Sequence, residues 1–221
     1  MATIASALQS VKQQIESMGK GRVELLAVSK TWPAEAIRAA YEAGQKAFGE
    51  SYVQEALEKM NALSDLDIEW HFIGPVQSNK TKAIAAHFDW VHGVDSERIA
   101  MRLSDGRPEG MPPLQVCIQV NVSGEASKSG IEPEKAADLA SCISRLKGLK
   151  LRGLMTIPEP TADKALQRKR FNELRKIKES LSEYDLDTLS MGMSADFESA
   201  IQEGATIVRI GSAIFGNRKK K

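Results

Sequence analysis

The chain has 221 residues, 42% hydrophobic and 27% charged, a globular balance that supports a sizeable core and excludes general disorder. At about 150 residues per domain this length admits one large domain or two small ones. Thirty basic residues against 29 acidic ones leave +1, which argues against a general nucleic-acid or membrane-surface binder, since either needs a positive field.

Ile4, Leu8, Val11 and Ile15 recur at helical spacing over 3–18, and Gly19 and Gly21 stop that helix. This N-terminus lacks a basic segment followed by an apolar one, and no stretch approaches about 18 apolar residues. The expectation is a soluble, cytoplasmic protein. VELLAVS (23–29) reads as a buried strand, followed by helix AEAIRAAYEAG, with Pro33 suited to its first turn and Gly44 to its C-terminal cap. Then come strand KAFGE, helix YVQEALEKMNAL, strand IEWHFI, helix NKTKAIAAHF, strand DWVHGV and helix SERIAMRLSD. Strand LQVCIQVNV, helix PEKAADLASCISRL, strand LKLRGLMTI, helix 163–183, strand TLSMG, helix ADFESAIQEG and strand TIVRIG complete the series.

Eight strands, near residues 25, 47, 71, 91, 118, 153, 189 and 208, thus have a helix between every neighbouring pair. Such alternation requires parallel strands with crossover helices. Even spacing and the absence of GxGxxG after the first strand favour an α/β fold of one closed TIM-type (β/α)₈ barrel over an open doubly wound sheet. The expected domain is 1–221, with helix 3–18 as a cover and 217–221 as a short basic tail. Cys117 and Cys142 have neither a CxxC partner nor a His at ligand spacing, so both read as small buried hydrophobes, and no metal site is expected.

Reactive groups of such barrels lie at the carboxyl ends of the strands. That rim collects Ser29 and Lys30; Glu50 and Ser51; His71, Gly74, Gln77, Asn79 and Lys80; Asn121, Glu125 and Lys128; Met155 and Thr156; Ser190, Gly192 and Ser194; and Arg209, Gly211 and Ser212. Lys30 ends an apolar strand, where a low dielectric disfavours its ammonium and makes the neutral amine available for a Schiff base. The bland alternative is a lysine that snorkels from the barrel end. Opposite it, Ser194, Gly211 and Ser212 occupy the loops after strands seven and eight, where backbone N–H groups commonly bind phosphate. Singly, Ser194 serves as an N-cap, Gly211 as a turn residue and His71 as a satisfied core histidine. A Schiff-base lysine facing a phosphate site across a barrel mouth describes covalently held pyridoxal 5′-phosphate (PLP).

VSKTWP, FGESYVQE, WHFIGPVQSNK, VNVSGEASKSG, GLMTI, LSMGMSADFESAI and VRIGSAIFG resemble, in this order and across 23–216, the motifs of the PLP homeostasis (PLP-binding) proteins. These look like the N-terminal barrel of alanine racemase standing alone. The resemblance implies Lys30 as the internal-aldimine lysine and Arg209 as the partner of the pyridine nitrogen. It implies Ser194 with Gly211 and Ser212 as phosphate ligands, Met193 as an added backbone donor, and Ser51, His71 and Asn121 around the ring. The chain departs from the family at Ser51, usually Asn; at Pro75, usually Leu; and in its GNRKKK end, which lacks a frequent tyrosine.

A permanent cation beside the pyridine nitrogen disfavours ring protonation and makes the ring a poorer electron sink. Racemases add a second domain and a partner's tyrosine, and the expectation for a chain of this length is that it has neither. The resemblance therefore implies a carrier or regulator of vitamin B6, without robust turnover, that affects amino-acid and keto-acid pools. Its expected partners are PLP, PLP-dependent apoenzymes and small amines or amino acids, with neither nucleic acid nor membrane, and it is expected to be a monomer. The alternatives are a PLP-dependent enzyme such as a weak amino-acid racemase, and a partner-binding module using the basic helix KALQRKRFNELRKIK or the tail.

Overall fold

In the computed structural model the described residues are 3–19, 21–124 and 129–217. After α1 (Ile4–Gly19) the chain runs β1 (Glu24–Val28), α2 (Ala34–Glu42), β2 (Ala47–Glu50), α3 (Val53–Ala62), β3 (Glu69–Phe72), α4 (Thr81–His87) and β4 (Trp90–Val94). It continues through α5 (Glu97–Gly106), β5 (Leu114–Gln119), α6 (Ala136–Ser144), β6 (Leu149–Met155), α7 (Lys164–Ser180), β7 (Thr188–Met193), α8 (Phe197–Gln202), β8 (Ile207–Ile210) and α9 (Ser212–Phe215). Each strand pairs in parallel with the next, and β8 pairs with β1, so the sheet closes into the expected eight-stranded barrel.

The strands are short and apolar on both faces because each is covered by helices outside and packed against other strands inside. Outward residues such as Leu25, Phe48, Phe72, Val91 and Ile210 join the main core with the helices. Inward residues form two separate clusters, Leu26, Ala47 and Ile207 on one side and Trp90, Cys117 and Met155 on the other. At Gly153 in β6 a Cβ would stand 1.8 Å from the Thr188 carbonyl, so glycine permits the close β6–β7 approach.

Local signals explain the helix ends. Gly44 adopts φ +89° just past α2, and its N–H and that of Gln45 return to Tyr41 O and Ala40 O, closing the helix. Pro33 occupies the N-cap rather than the first turn. Pro133 opens a 3₁₀ turn, Pro133–Lys135, so the helix expected over 133–146 becomes that turn followed by α6. Asp163 caps α7 by accepting from Ala165 N and Leu166 N at 2.8 and 3.2 Å.

α1 buries Leu8, Val11 and Ile15 and lies against α2, α8 and α9. The helix after β8 is only four residues long, so α1 supplies the cover that a full eighth helix would give the β8–β1 seam. Cys117 is buried, as expected, whereas Cys142 is only half-buried on α6. Burial pushes the Cys117 thiol up to about 12. Among the described residues no helix is long and apolar enough to cross a membrane, and no group of His, Cys, Asp or Glu has the makings of a metal site.

Candidate functional site

Lys30 lies two residues beyond the end of β1, at the carboxyl end of the barrel. The segment around it is fixed from outside. Glu50, wholly buried at the end of β2, accepts from Ser29 Oγ at 2.6 Å and from Lys59 Nζ at 2.8 Å. Lys59 also donates to Ser29 O at 3.0 Å and to Glu55 Oε1 at 2.6 Å, while Glu55 Oε1 accepts from Thr31 N at 2.5 Å. Thr31 sits at φ +70°, a left-handed conformation that a non-glycine residue keeps only when its surroundings impose it. Two ion pairs from α3 thus hold the residues on both sides of Lys30.

Arg209 lies on β8, the neighbour of β1, in register with Leu26. It is almost wholly buried, with one terminal nitrogen donating to Ser190 O and Ser190 Oγ, both at 2.7 Å, and the other to Thr156 O at 2.9 Å. Burial lowers its pKa to about 10, so the guanidinium stays charged at neutral pH. Lys30 is four positions beyond Leu26, so at most roughly 13 Å of chain separates the two levels.

Ser194 and Ser212 meet across the β7 and β8 ends, where Ser212 Oγ donates to Ser194 Oγ at 3.2 Å. Gly211 precedes α9, and a Cβ there would stand 3.0 Å from Val28 O. The N–H groups of Ser212 and Ala213 open a helix, where no intrahelical acceptor is available to them. Met193, expected as an added backbone donor, ends β7. Its N–H already donates to Asp196 Oδ1 at 2.6 Å, because Gly192 at φ +92° turns the β7 end toward α8. Burial raises the Asp196 pKa.

Ser51 directly follows β2, and its Oγ is buried without a hydrogen-bond partner among the described residues. Asn121 follows β5, where its Oδ1 accepts from Ser123 N and Ser123 Oγ, both at 3.2 Å. Gln77 and Asn79 are exposed, as is Lys80, before α4. Glu125 and Lys128, and all of the basic tail but Asn217, lie outside the described residues.

His71 lies on β3, one residue before its carboxyl end. It is fully buried, its Nε2 lies 2.6 Å from Glu69 Oε1 at the opposite end of the barrel, and its Nδ1 lies 2.8 Å from His92 Nε2. Both ring nitrogens are engaged within the protein, the contacts that a satisfied core histidine makes. His92 itself escaped sequence reasoning, although WHF and WVHGV each carry a histidine one residue beyond or two beyond a tryptophan on successive strands. The basic helix is also largely neutralised from within. Arg168 and Asn172 donate to the Glu203 carboxylate at 2.7 and 3.0 Å, and Arg170 and Lys164 pair with Glu159 and Glu198.

A closed parallel barrel with a lysine after β1, a buried arginine on β8 and hydroxyls at the β7 and β8 ends belongs to a recognisable class. Residues 3–219 match the family described as alanine racemase, N-terminal domain. The chain is 57% identical to the pyridoxal phosphate homeostasis protein of Pseudomonas aeruginosa, over 99% of this chain and 97% of that one. It is 54% identical to the protein of the same name from Vibrio cholerae, over 99% and 98%. The structure of PipY from Synechococcus elongatus, solved with PLP bound, matches with a TM-score of 0.88 at 38% identity, covering 97% of this chain and 100% of that one. The chain belongs to the pyridoxal phosphate homeostasis protein family.

Proposed function

We propose that this protein binds pyridoxal 5′-phosphate and serves vitamin B6 homeostasis, with Lys30 as the residue that carries the cofactor. The observation that carries this reading is that Lys30 follows β1 while Arg209 lies on the adjacent strand β8, with Ser194, Gly211 and Ser212 at the β7 and β8 ends. The donor set fits the group: an amine for an aldehyde, a guanidinium for a ring nitrogen, and hydroxyl and N–H groups for a phosphate. The buried Ser51 Oγ, which has no hydrogen-bond partner among the described residues, fits a further contact to such a group.

When bound, PLP supplies an electrophilic aldehyde and a ring able to withdraw electrons. Lys30 provides the amine, and the α3 ion pairs hold it in place. Arg209 holds its positive charge toward the ring nitrogen, which disfavours a proton there. Ser194 and Ser212 orient the phosphate. Met193 contributes its N–H only if Asp196 gives way, so the phosphate is held chiefly by the Ser194 and Gly211–Ser212 side. Asn121 and Ser51 border the ring. This arrangement favours holding and exchanging the cofactor over the carbanion chemistry of a racemase.

The same proposal has the protein act as a cytoplasmic monomer that exchanges PLP with small amines and delivers it to PLP-dependent apoenzymes, with consequences for amino-acid and keto-acid pools. Titration of the apoprotein with PLP, followed by addition of a PLP-dependent apoenzyme, tests this. A visible absorption band that appears at one equivalent and fades as the acceptor gains activity supports it. Saturable binding without any transfer would remove the delivery role, and absence of the band would remove the cofactor.

A further inference from the structure

The turn that follows Lys30 forms one wall of a groove. Thr31, Trp32 and Glu35 line it from the β1–α2 side, and Tyr52, Glu55 and Glu58 from α3 and its N-cap, around a volume of about 1100 Å³. Pockets that enclose small ligands run to roughly 300–1000 Å³, so the groove has room for a length of polypeptide. Its walls are preformed. Glu55 Oε1 accepts from Thr31 N at 2.5 Å, and Trp32 is stacked on Phe215, with ring centroids 5.9 Å apart and planes 30° from parallel. A surface that needs no ordering on contact loses less free energy when it binds.

The charge of the groove is one-sided. Its acids are Glu35, Glu55 and Glu58; its base is Lys59, which is only 7% exposed and also pairs with the buried Glu50. Among the described residues neither Glu35 nor Glu58 has an ion-pair partner, and Arg38, one turn beyond Glu35 on α2, is taken by Asp65 at 2.7 Å. Tyr52, 55% exposed, adds an aromatic ring to this acidic rim. Such a pairing suits lysine and arginine, whose charge meets the carboxylate while the stem or the guanidinium plane lies on the ring.

We propose that this groove docks a lysine- and arginine-bearing segment of a protein that accepts PLP. For the partner's identity as an acceptor this rests on the proposed function, whereas docking itself needs no cofactor. Two arguments favour that partner. A site awaiting PLP must attract a phosphate and therefore presents basic groups at its entrance, opposite in sign to the groove. Thr31 directly follows Lys30, so a protein seated in the groove stands beside the lysine that would give up the cofactor. Opposite fields also orient the two proteins before they touch. The transfer consumes no co-reactant: water adds across the bond to Lys30, freeing aldehyde and amine, and condensation with the acceptor's lysine returns the water.

An acetylated, amidated tetralysine peptide titrated into the apoprotein probes docking, followed by nitrogen-15 amide NMR. Saturable shifts at 31–35 and 52–58 are expected, with none from a tetraglutamate peptide. The double variant Glu35→Gln with Glu58→Gln leaves the Lys59 bonds in place and should weaken binding about fivefold at about 0.02 M salt. Raising salt to about 0.3 M should weaken wild-type binding by at least as much. Shifts confined to other surfaces, or equal affinity in the double variant, would overturn the docking site. Asn217 also lines the groove, and the basic residues 218–221 that follow it lie outside the described residues. A peptide that binds only after 218–221 are removed would assign the groove to the chain itself and overturn a partner.

The second arm mixes PLP-loaded protein with excess aminotransferase apoenzyme and follows the activity that the acceptor gains. The rate should exceed that of spontaneous PLP release, fall about fivefold in the double variant at low salt, and be competed by tetralysine. A rate equal to spontaneous release at every apoenzyme concentration would contradict docking of an acceptor. Failure of the protein to take up PLP contradicts the proposed function instead, and the peptide titration still decides the groove.

Discussion

Replacing Lys59 by methionine removes the cation that holds the Lys30 turn and leaves a buried carboxylate behind. In the wild type Lys59 Nζ makes three bonds, to Ser29 O, Glu50 Oε1 and Glu55 Oε1, at 3.0, 2.8 and 2.6 Å. Glu50 is fully buried, and its Oε2 already lacks a partner. Breaking a buried pair from one side typically costs about 3–5 kcal/mol, because the abandoned charge has no solvent. With a urea slope of about 2 kcal/mol per M, the midpoint should fall by roughly 2 M. Urea unfolding followed by circular dichroism measures this directly. The double variant Lys59→Met with Glu50→Leu removes both charges and should recover most of the loss, since apolar replacement of a whole pair is often nearly neutral.

The pH dependence of the single variant follows from the carboxyl it strands. Burial raises the Glu50 pKa above the ordinary carboxylate value, and Lys59 works against that rise. Without Lys59 the folded-state pKa rises further, so the folded state holds the proton more tightly than the unfolded chain. The deficit is therefore full above the folded-state pKa and shrinks as pH falls toward the unfolded value of about 4.3. It should be smaller at pH 5 than at pH 8. A Lys59→Met protein within about 0.5 kcal/mol of wild type would refute the reasoning, as would a double variant no more stable than the single one, or a deficit that grows with acid.

Three further outcomes are expected. Gly153→Ala forces a Cβ onto the Thr188 carbonyl, 1.8 Å away, and should destabilise the β6–β7 seam by about 3 kcal/mol, read from the same unfolding curves. Cys117, with its pKa near 12, is only about one part in ten thousand thiolate at pH 8, so iodoacetamide should label half-buried Cys142 in the native protein and reach Cys117 only after unfolding. Burial pushes the Glu203 pKa up, yet hydrogen bonds from Asn172 and Arg168 hold it below the ordinary value. Its stabilisation is present above the unfolded pKa and lost as pH falls through the folded one, so Glu203→Gln should be destabilised at pH 7 and converge on wild type below about pH 4.

The barrel was legible in the sequence because each strand is a short apolar run buried on both sides, and because glycines such as Gly44 and Gly153 stand where the backbone needs them. Lys30 and Arg209 were legible as rim residues at strand ends. The level of Arg209 is fixed only by the pairing of β8 with β1, which sets it beside Leu26. Lys59 gave no signal, since a lysine on an amphipathic helix usually faces solvent, and only closure of α3 over the β1–β2 end buries it. The contacts of His71 with Glu69 and His92 gave no signal in the sequence, since the second depends on the pairing of β3 with β4. The bond from Met193 N–H to Asp196 was not legible for a similar reason, because only the fold brings the two together.

The central claim is that Lys30 carries the cofactor, and it is tested most directly by borohydride reduction of the PLP-loaded protein followed by peptide mapping. The account predicts one stoichiometric adduct, on the peptide containing Lys30, and its loss in a Lys30→Ala protein whose circular dichroism is unchanged. A stoichiometric adduct on another lysine, or one that survives in folded Lys30→Ala, would contradict it.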